Sequence, residues 1–209
     1  MEETMRFTAI VQVLAAALFG WAAIAHADDP IPVNTGNTQA GDGHAVMFKG
    51  SPLPLSGTAI KVGDTMPSAT LTGAGLAPVN IADNKGKVRI INVVPSLDTP
   101  TCNAQTHELV EKDPALAQSV ELVTVSMDLP FAQARWQRAA KAKDMVFLSD
   151  YKTGEFGKST GLMIAPLHLL TRTVIVTDKN GVIRYMQIVP EITELPDMDA
   201  AMAAAKGLL

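Results

Sequence analysis

The chain has 209 residues, one cysteine and four histidines, with 47% hydrophobic and 18% charged residues and a formal net charge of −4. That length and apolar content support one globular domain plus extra segments and exclude global disorder. The slight acidity, with no cluster of Lys and Arg, argues against a nucleic-acid partner, and one Cys with scattered His26, His44, His107 and His168 makes no zinc or iron–sulfur ligand set.

Residues 1–27 read as a secretory signal peptide. Arg6 supplies a weak positive start after Glu2 and Glu3, Thr8 to Ile24 is apolar apart from Gln12, and Ala25-His26-Ala27 fits a small-x-small cleavage site. The competing reading is a retained membrane anchor, for which the apolar run is slightly short. Residues 28–43, rich in Pro, Gly, Asn and Asp, read as a flexible leader. Residues 44–209 then form one domain.

That domain opens with Ala45–Gly50 and Leu53–Leu55 around a Gly50-Ser51-Pro52 turn, an N-terminal β-hairpin. Val62–Pro67 is a loop, and Ala69–Leu71 and Pro78–Ile81 are short strands. Asn84–Lys87 turns into Val88–Val94, a β-branched run expected to be a buried strand. Asn103–Val110 is compatible with a helix, and Asp113-Pro114 breaks the pattern. Val120–Ser126 is the next strand, Phe131–Lys143 a helix by composition, Met145–Leu148 a strand and Thr153–Gly161 a helix. Arg172–Thr177 and Gly181–Val189 flank Asp178-Lys179-Asn180-Gly181, a hairpin signal, and Pro196–Lys206 closes the chain as a helix. Strands alternating with helices imply an α/β architecture with a central mixed sheet.

The chemistry concentrates in Val93–Cys102. Thr99 stands where a helix N-cap is expected and Pro100 at the first helical position, so Cys102 falls in the first turn. Free N–H groups and the positive end of the helix dipole favour a thiolate there. A lone cysteine is commonly a small buried hydrophobe, but Asp98, Thr99, Thr101 and Asn103 describe a polar helix start rather than a core strand. An exported protein keeping one unpaired thiol also needs a reason. His107, five residues on, points away from Cys102 on a helix. A Cys–His hydrolase dyad with His44 or His168 has no local signature, and Met186 and Met198 to Met202 read as core filler.

Pro95, Thr99 and Cys102 match the Pro-x-x-x-Thr-x-x-Cys signature of peroxiredoxins. With Asp128-Leu129-Pro130-Phe131-Ala132-Gln133-Ala134-Arg135, Arg172–Val176 and Glu191–Glu194, the chain from about His44 onward resembles the bacterial thiol peroxidase branch. The resemblance implies a thioredoxin-like fold with its central mixed sheet flanked by helices, and a cofactor-free, metal-free peroxidase. Cys102 would be the peroxidatic nucleophile, with Thr99 offering its hydroxyl, Pro95 shaping and shielding the loop, and Arg172 favouring the charged sulfur and helping to hold peroxide. Arg135 is a weaker candidate on a solvated helix face.

One departure matters. Typical members of this branch carry a second, resolving cysteine two residues after the arginine, and here that position is Gln137. A one-cysteine cycle needs an external thiol, thioredoxin-like or of low molecular weight. The runner-up is a redox sensor or holdase on the same scaffold, and a third reading is a binding domain with an inert cysteine. The signal at residues 1–27 implies export, here to the bacterial periplasm, and the resemblance further implies a homodimer. Peroxide preference would depend on apolar residues such as Leu97, Phe131 and Leu162.

Overall fold

The computed structural model describes residues 30–83 and 86–209; residues 1–27, read as a signal peptide, lie outside them. The strands of Ile31–Leu209 are β1 (Val33–Asn34), β2 (Ala45–Phe48), β3 (Ser51–Ser56), β4 (Thr70–Thr72), β5 (Pro78–Asn80) and β6 (Arg89–Val93). Helices α1 (Pro100–Glu111) and α2 (Pro114–Ser119) follow, then β7 (Glu121–Ser126), α3 (Pro130–Ala139), β8 (Val146–Ser149) and α4 (Glu155–Thr160). The remainder is β9 (Met163–Ile164), β10 (Leu169–Leu170), β11 (Thr173–Thr177), β12 (Ile183–Ile188), β13 (Leu195–Pro196) and α5 (Met198–Lys206).

Seven strands form the main sheet in the order β12-β11-β6-β7-β8-β4-β5. β6, β7 and β8 run parallel, while β11 is antiparallel to both β6 and β12, so the sheet is mixed as expected. The two-residue period of the strands sorts side chains to opposite faces. Ile91, Val93, Val123, Val125 and Ile175 join a cluster with Val46, Phe156 and Leu162. Ile90, Val94, Leu122, Val174 and Val176 join a second cluster with Cys102, Leu109, Trp136 and Met202, beneath α1, α3 and α5. Each fully buried aliphatic side chain contributes about 1.5–3 kcal/mol. The thioredoxin-like layout places α1 directly after the carboxyl end of β6.

The residues read as a flexible leader are tied down from Ile31 onward. β1 pairs in parallel with β13, Thr38 N–H donates to Ile188 O at 3.1 Å, and Ile188 N–H donates to Asn37 Oδ1 at 2.8 Å. Gln187 Nε2 donates to the carbonyls of Asn34 (2.6 Å) and Gly36 (2.9 Å). The same Asn and Gly content that signals a loop supplies these bonds, and the segment covers the open edge of β12.

Other departures are local. The hairpin reverses at Lys49-Gly50, both with positive φ, one residue before the expected turn, and Ser51 and Pro52 lie in β3. Asp113-Pro114 does not simply break the pattern but opens α2, the Asp113 carboxylate accepting from Leu116 N–H at 2.9 Å. α3 stops at Ala139, because Lys141 turns left-handed at φ 54°. α4 is bounded by left-handed Gly154 and Gly161. The short antiparallel pair β9–β10, which continues β3 into a second, four-stranded sheet, was not expected.

Candidate active site

Arg172, just before β11, meets Cys102, in the first turn of α1. The chain leaves β6 through Val94, whose N–H still pairs with Val125 O at 3.0 Å, and passes buried Pro95. Asp128 pins the loop that follows. Its carboxylate accepts from Ser96 Oγ (2.7 Å), Leu97 N–H (2.8 Å) and Ser126 Oγ (2.8 Å). Thr99 occupies the N-cap in extended geometry, φ −107° and ψ 145°, with Pro100 beginning the helix. Its hydroxyl makes no cap bond; it donates to Ser96 O at 3.0 Å instead, which leaves its lone pairs as acceptors.

Helical spacing turns Cys102, Gln105, Thr106 and Leu109 inward while Asp98, Thr99 and Pro100 stay exposed. Cys102 is therefore 0% exposed, although its neighbours Asp98 and Thr99 are exposed. Burial alone would fit an inert core thiol. The decisive contact is the Arg172 guanidinium, itself only 2% exposed, whose Nη2 lies 3.4 Å from Cys102 Sγ. The remaining guanidinium donors reach Ile192 O from Nε (2.9 Å) and Nη2 (2.8 Å), and Gln105 Oε1 from Nη1 (2.6 Å). Both acceptors are neutral, and among the described residues no carboxylate forms an ion pair with Arg172. Arg172 is thus a buried cation that meets two neutral oxygens and the Cys102 sulfur.

This strand–loop–helix with a buried Cys–Arg pair lies inside the span that a redoxin family model matches, residues 61–202. The thiol peroxidase of Halalkalibacterium halodurans is 45% identical over 79% of this chain and 99% of its own length. The chain belongs to the redoxin family, in its bacterial thiol peroxidase branch. The thiol peroxidase of Bacillus subtilis is 43% identical over 78% of this chain and 98% of its own. A peroxiredoxin-like protein from Aquifex aeolicus superposes with a TM-score of 0.74 at 35% identity, covering 81% of this chain and 99% of its own.

Pro95, Thr99, Cys102 and Arg172 thus gather around one redoxin loop, which Arg135 reaches only at the surface and no histidine among the described residues joins. Arg135 pairs with Asp98 at 3.3 Å, both side chains exposed, which is worth little. His107 faces Glu111 at 3.1 Å and packs tilted against Trp136, ring centres 5.0 Å apart. Among the described residues no histidine bonds the sulfur. Leu97 shares the apolar cluster of Cys102, whereas Leu162 belongs to the cluster on the other face and Phe131 is 67% exposed. Asp128, Gln105 and the Ile192 carbonyl were not singled out as site residues. A polar Gln at an inward helical position was the available signal.

Gln137 fills the place of the resolving cysteine and has a structural task. Its Nε2 donates to Ala142 O (3.1 Å) and Met145 O (2.9 Å), clipping the turn between α3 and β8. Gln137→Ala is expected to cost about 1–2 kcal/mol, read as a lower urea midpoint; an unchanged midpoint would remove the clip from the account.

Glu191 buttresses the loop that carries Ile192. Burial opposes its charge, but the Thr193 hydroxyl and N–H and the N–H groups of Lys49 and Gly50 outweigh this and hold its pKa below the usual glutamate value. With the folded pKa below the unfolded one, its stabilisation is present above the unfolded value and is lost as pH falls through the folded value. Glu191→Gln should therefore flatten the fall in melting temperature as pH drops below the ordinary glutamate value of about 4.3. Superimposable acid limbs would show that this carboxylate does not contribute.

Proposed function

We propose that this redoxin is a thiol-dependent peroxidase that reduces hydrogen peroxide and alkyl hydroperoxides through Cys102 alone. The observation that carries the reading is the buried guanidinium 3.4 Å from the buried sulfur, with only neutral acceptors on its other sides. The names of the thiol peroxidase relatives, 39–45% identical, support it. No observation favours the sensor or holdase.

In the cycle, the Cys102 thiolate attacks one peroxide oxygen, an S–O bond forms and the O–O bond breaks. Hydroxide or alkoxide leaves and takes up a proton, and the sulfur is left as sulfenic acid. Arg172 stabilises the anionic sulfur before attack and helps to hold the peroxide. Thr99, whose proton is committed to Ser96 O, offers its lone pairs to a peroxide O–H. Pro95 shapes the loop. A first external thiol then displaces water from the sulfenic acid to give a mixed disulfide, and a second releases reduced Cys102 and an external disulfide. Two thiols are oxidised for each peroxide reduced.

The reductant in this proposal is thioredoxin-like or a low-molecular-weight thiol, and residues 1–27 act as a cleaved signal for export to the bacterial periplasm. The proposed assembly is a homodimer; exposed Leu129 (50%) and Phe131 (67%), beside the Arg135–Asp98 pair, supply apolar surface near the site. Sedimentation velocity tests the dimer, and N-terminal sequencing of the exported protein tests the cleavage.

The test of the activity is hydroperoxide consumption under excess dithiothreitol. Many peroxides consumed per chain are expected. A single oxidation event without turnover, with thiol abundant, would move the reading to the sensor.

A further inference from the structure

Behind Arg172 lies a chain of buried amides that the catalytic account does not use. β6 buries all five of its residues, and Asn92 sits mid-sheet, paired with Thr124 of β7 and Val174 of β11. Its side chain shares a sheet face with Ile90 and Val94, in the cluster that holds Cys102. An amide in that position is costly unless fully bonded. Asn92 Nδ2 donates to Thr106 Oγ1 (3.0 Å) and Thr124 Oγ1 (3.1 Å), and Oδ1 accepts from Gln105 Nε2 (2.6 Å). Asn92, Gln105, Thr106 and Thr124 are all 0% exposed.

The direction of these bonds is dictated from both ends. Thr106 gives its only hydroxyl proton to Cys102 O at 2.8 Å, and Thr124 gives its own to Met145 Sδ at 3.0 Å. Neither a carbonyl nor a thioether can donate, so each hydroxyl can only accept from Asn92. Asn92 must therefore turn Nδ2 to the threonines and Oδ1 to Gln105. Gln105 must answer with Nε2, which leaves Oε1 facing the guanidinium. Arg172, a donor only, demands the same orientation from the other end. A flip of either amide would set N–H against N–H or oxygen against oxygen.

We propose that Asn92 is a positioning residue for the redox site: through Gln105 it presents a neutral acceptor to Arg172 and so aims the guanidinium, its charge uncompensated, at Cys102. The proposal rests on the peroxidase reading for its consequence but not for its measurement.

The test is a double-mutant cycle on the full mature chain. The readouts are the single-turnover rate of Cys102 oxidation by hydrogen peroxide and the rate of its alkylation by iodoacetamide, each followed by mass spectrometry at fixed pH. Asn92→Val and the near-isosteric Gln105→Met should each slow both rates about tenfold. The two together should be no slower than either alone, and Asn92→Val should add almost nothing once Arg172→Leu is present. Gln105→Glu keeps the acceptor for Arg172 but adds a counter-charge and opposes Asn92 Oδ1, so it should also slow both reactions.

A merely structural Asn92 would lower the melting temperature and change the rates equally in both arginine backgrounds, which would overturn the proposal. If Asn92→Val does not fold, Gln105→Met and Gln105→Glu decide alone, and wild-type rates in both would overturn it. Alkylation that follows the cycle without catalytic peroxide turnover would sink the peroxidase and leave the relay standing. Intact turnover with unaffected variants would do the reverse.

Discussion

Cys102→Ser is expected to abolish peroxide consumption completely while leaving the fold in place. The substitution exchanges sulfur for oxygen in a fully buried site, at nearly constant volume, and the hydroxyl can still accept from Arg172 Nη2. Stability should change by about 1 kcal/mol or less, on the scale of ordinary mild substitutions. Activity, by contrast, has nowhere else to go: the chain holds one cysteine, and a serine hydroxyl is not oxidised by peroxide. The measurement is hydroperoxide loss under dithiothreitol, with circular dichroism on the same samples. Residual turnover in a folded Cys102→Ser protein would mean that the chemistry lies elsewhere.

Arg172→Leu should produce the second largest effect, about a 100-fold slower reaction of Cys102 with hydrogen peroxide, the scale seen when one preorganised electrostatic donor is removed. It should also destabilise the protein by about 3 kcal/mol, because Gln105 Oε1 and Ile192 O lose their buried donors. Lysine restores the charge but not the planar fork that reaches three partners at once, so Arg172→Lys should recover only part of the rate. The two effects separate experimentally, since stability is read by denaturation and the rate by single turnover on folded protein. A folded Arg172→Leu protein that reacts within about twofold of wild type would exclude the guanidinium from the chemistry.

The parts of this molecule that were legible in the sequence are those whose cause is local. A β-branched run, a hydroxyl residue and a proline within about twelve positions sufficed to place β6, the loop and Cys102 in the first turn of α1. The burial of the sulfur was not read, because polar Asp98, Thr99 and Asn103 mark a helix start without saying which way helical geometry turns Cys102. Arg172 could be assigned only through the family resemblance: seventy positions separate it from Cys102, and the contact arises from sheet pairing of β6 with β11. α2 was missed because Asp113-Pro114 marks a helix start as readily as a break. β9 and β10, two residues each, are too short to show a period. The buried amides did leave a trace. Asn92 interrupts an apolar strand at an inward register, and Gln105 and Thr106 occupy inward helical positions, where a polar side chain needs an explanation.

Gln137 in its clip carries a consequence for timing. With no second thiol in the chain, the sulfenic acid on Cys102 has no partner of its own to meet, and neither α1 nor α3 must unwind to deliver one. Its lifetime is then set from outside, by how often a thiol arrives. Two bimolecular encounters compete for the same intermediate: a thiol returns it to the cycle, and a second peroxide carries it on to sulfinic acid. The ratio of thiol to peroxide in the surroundings, rather than any motion within the protein, decides how many turnovers one molecule completes before it is spent.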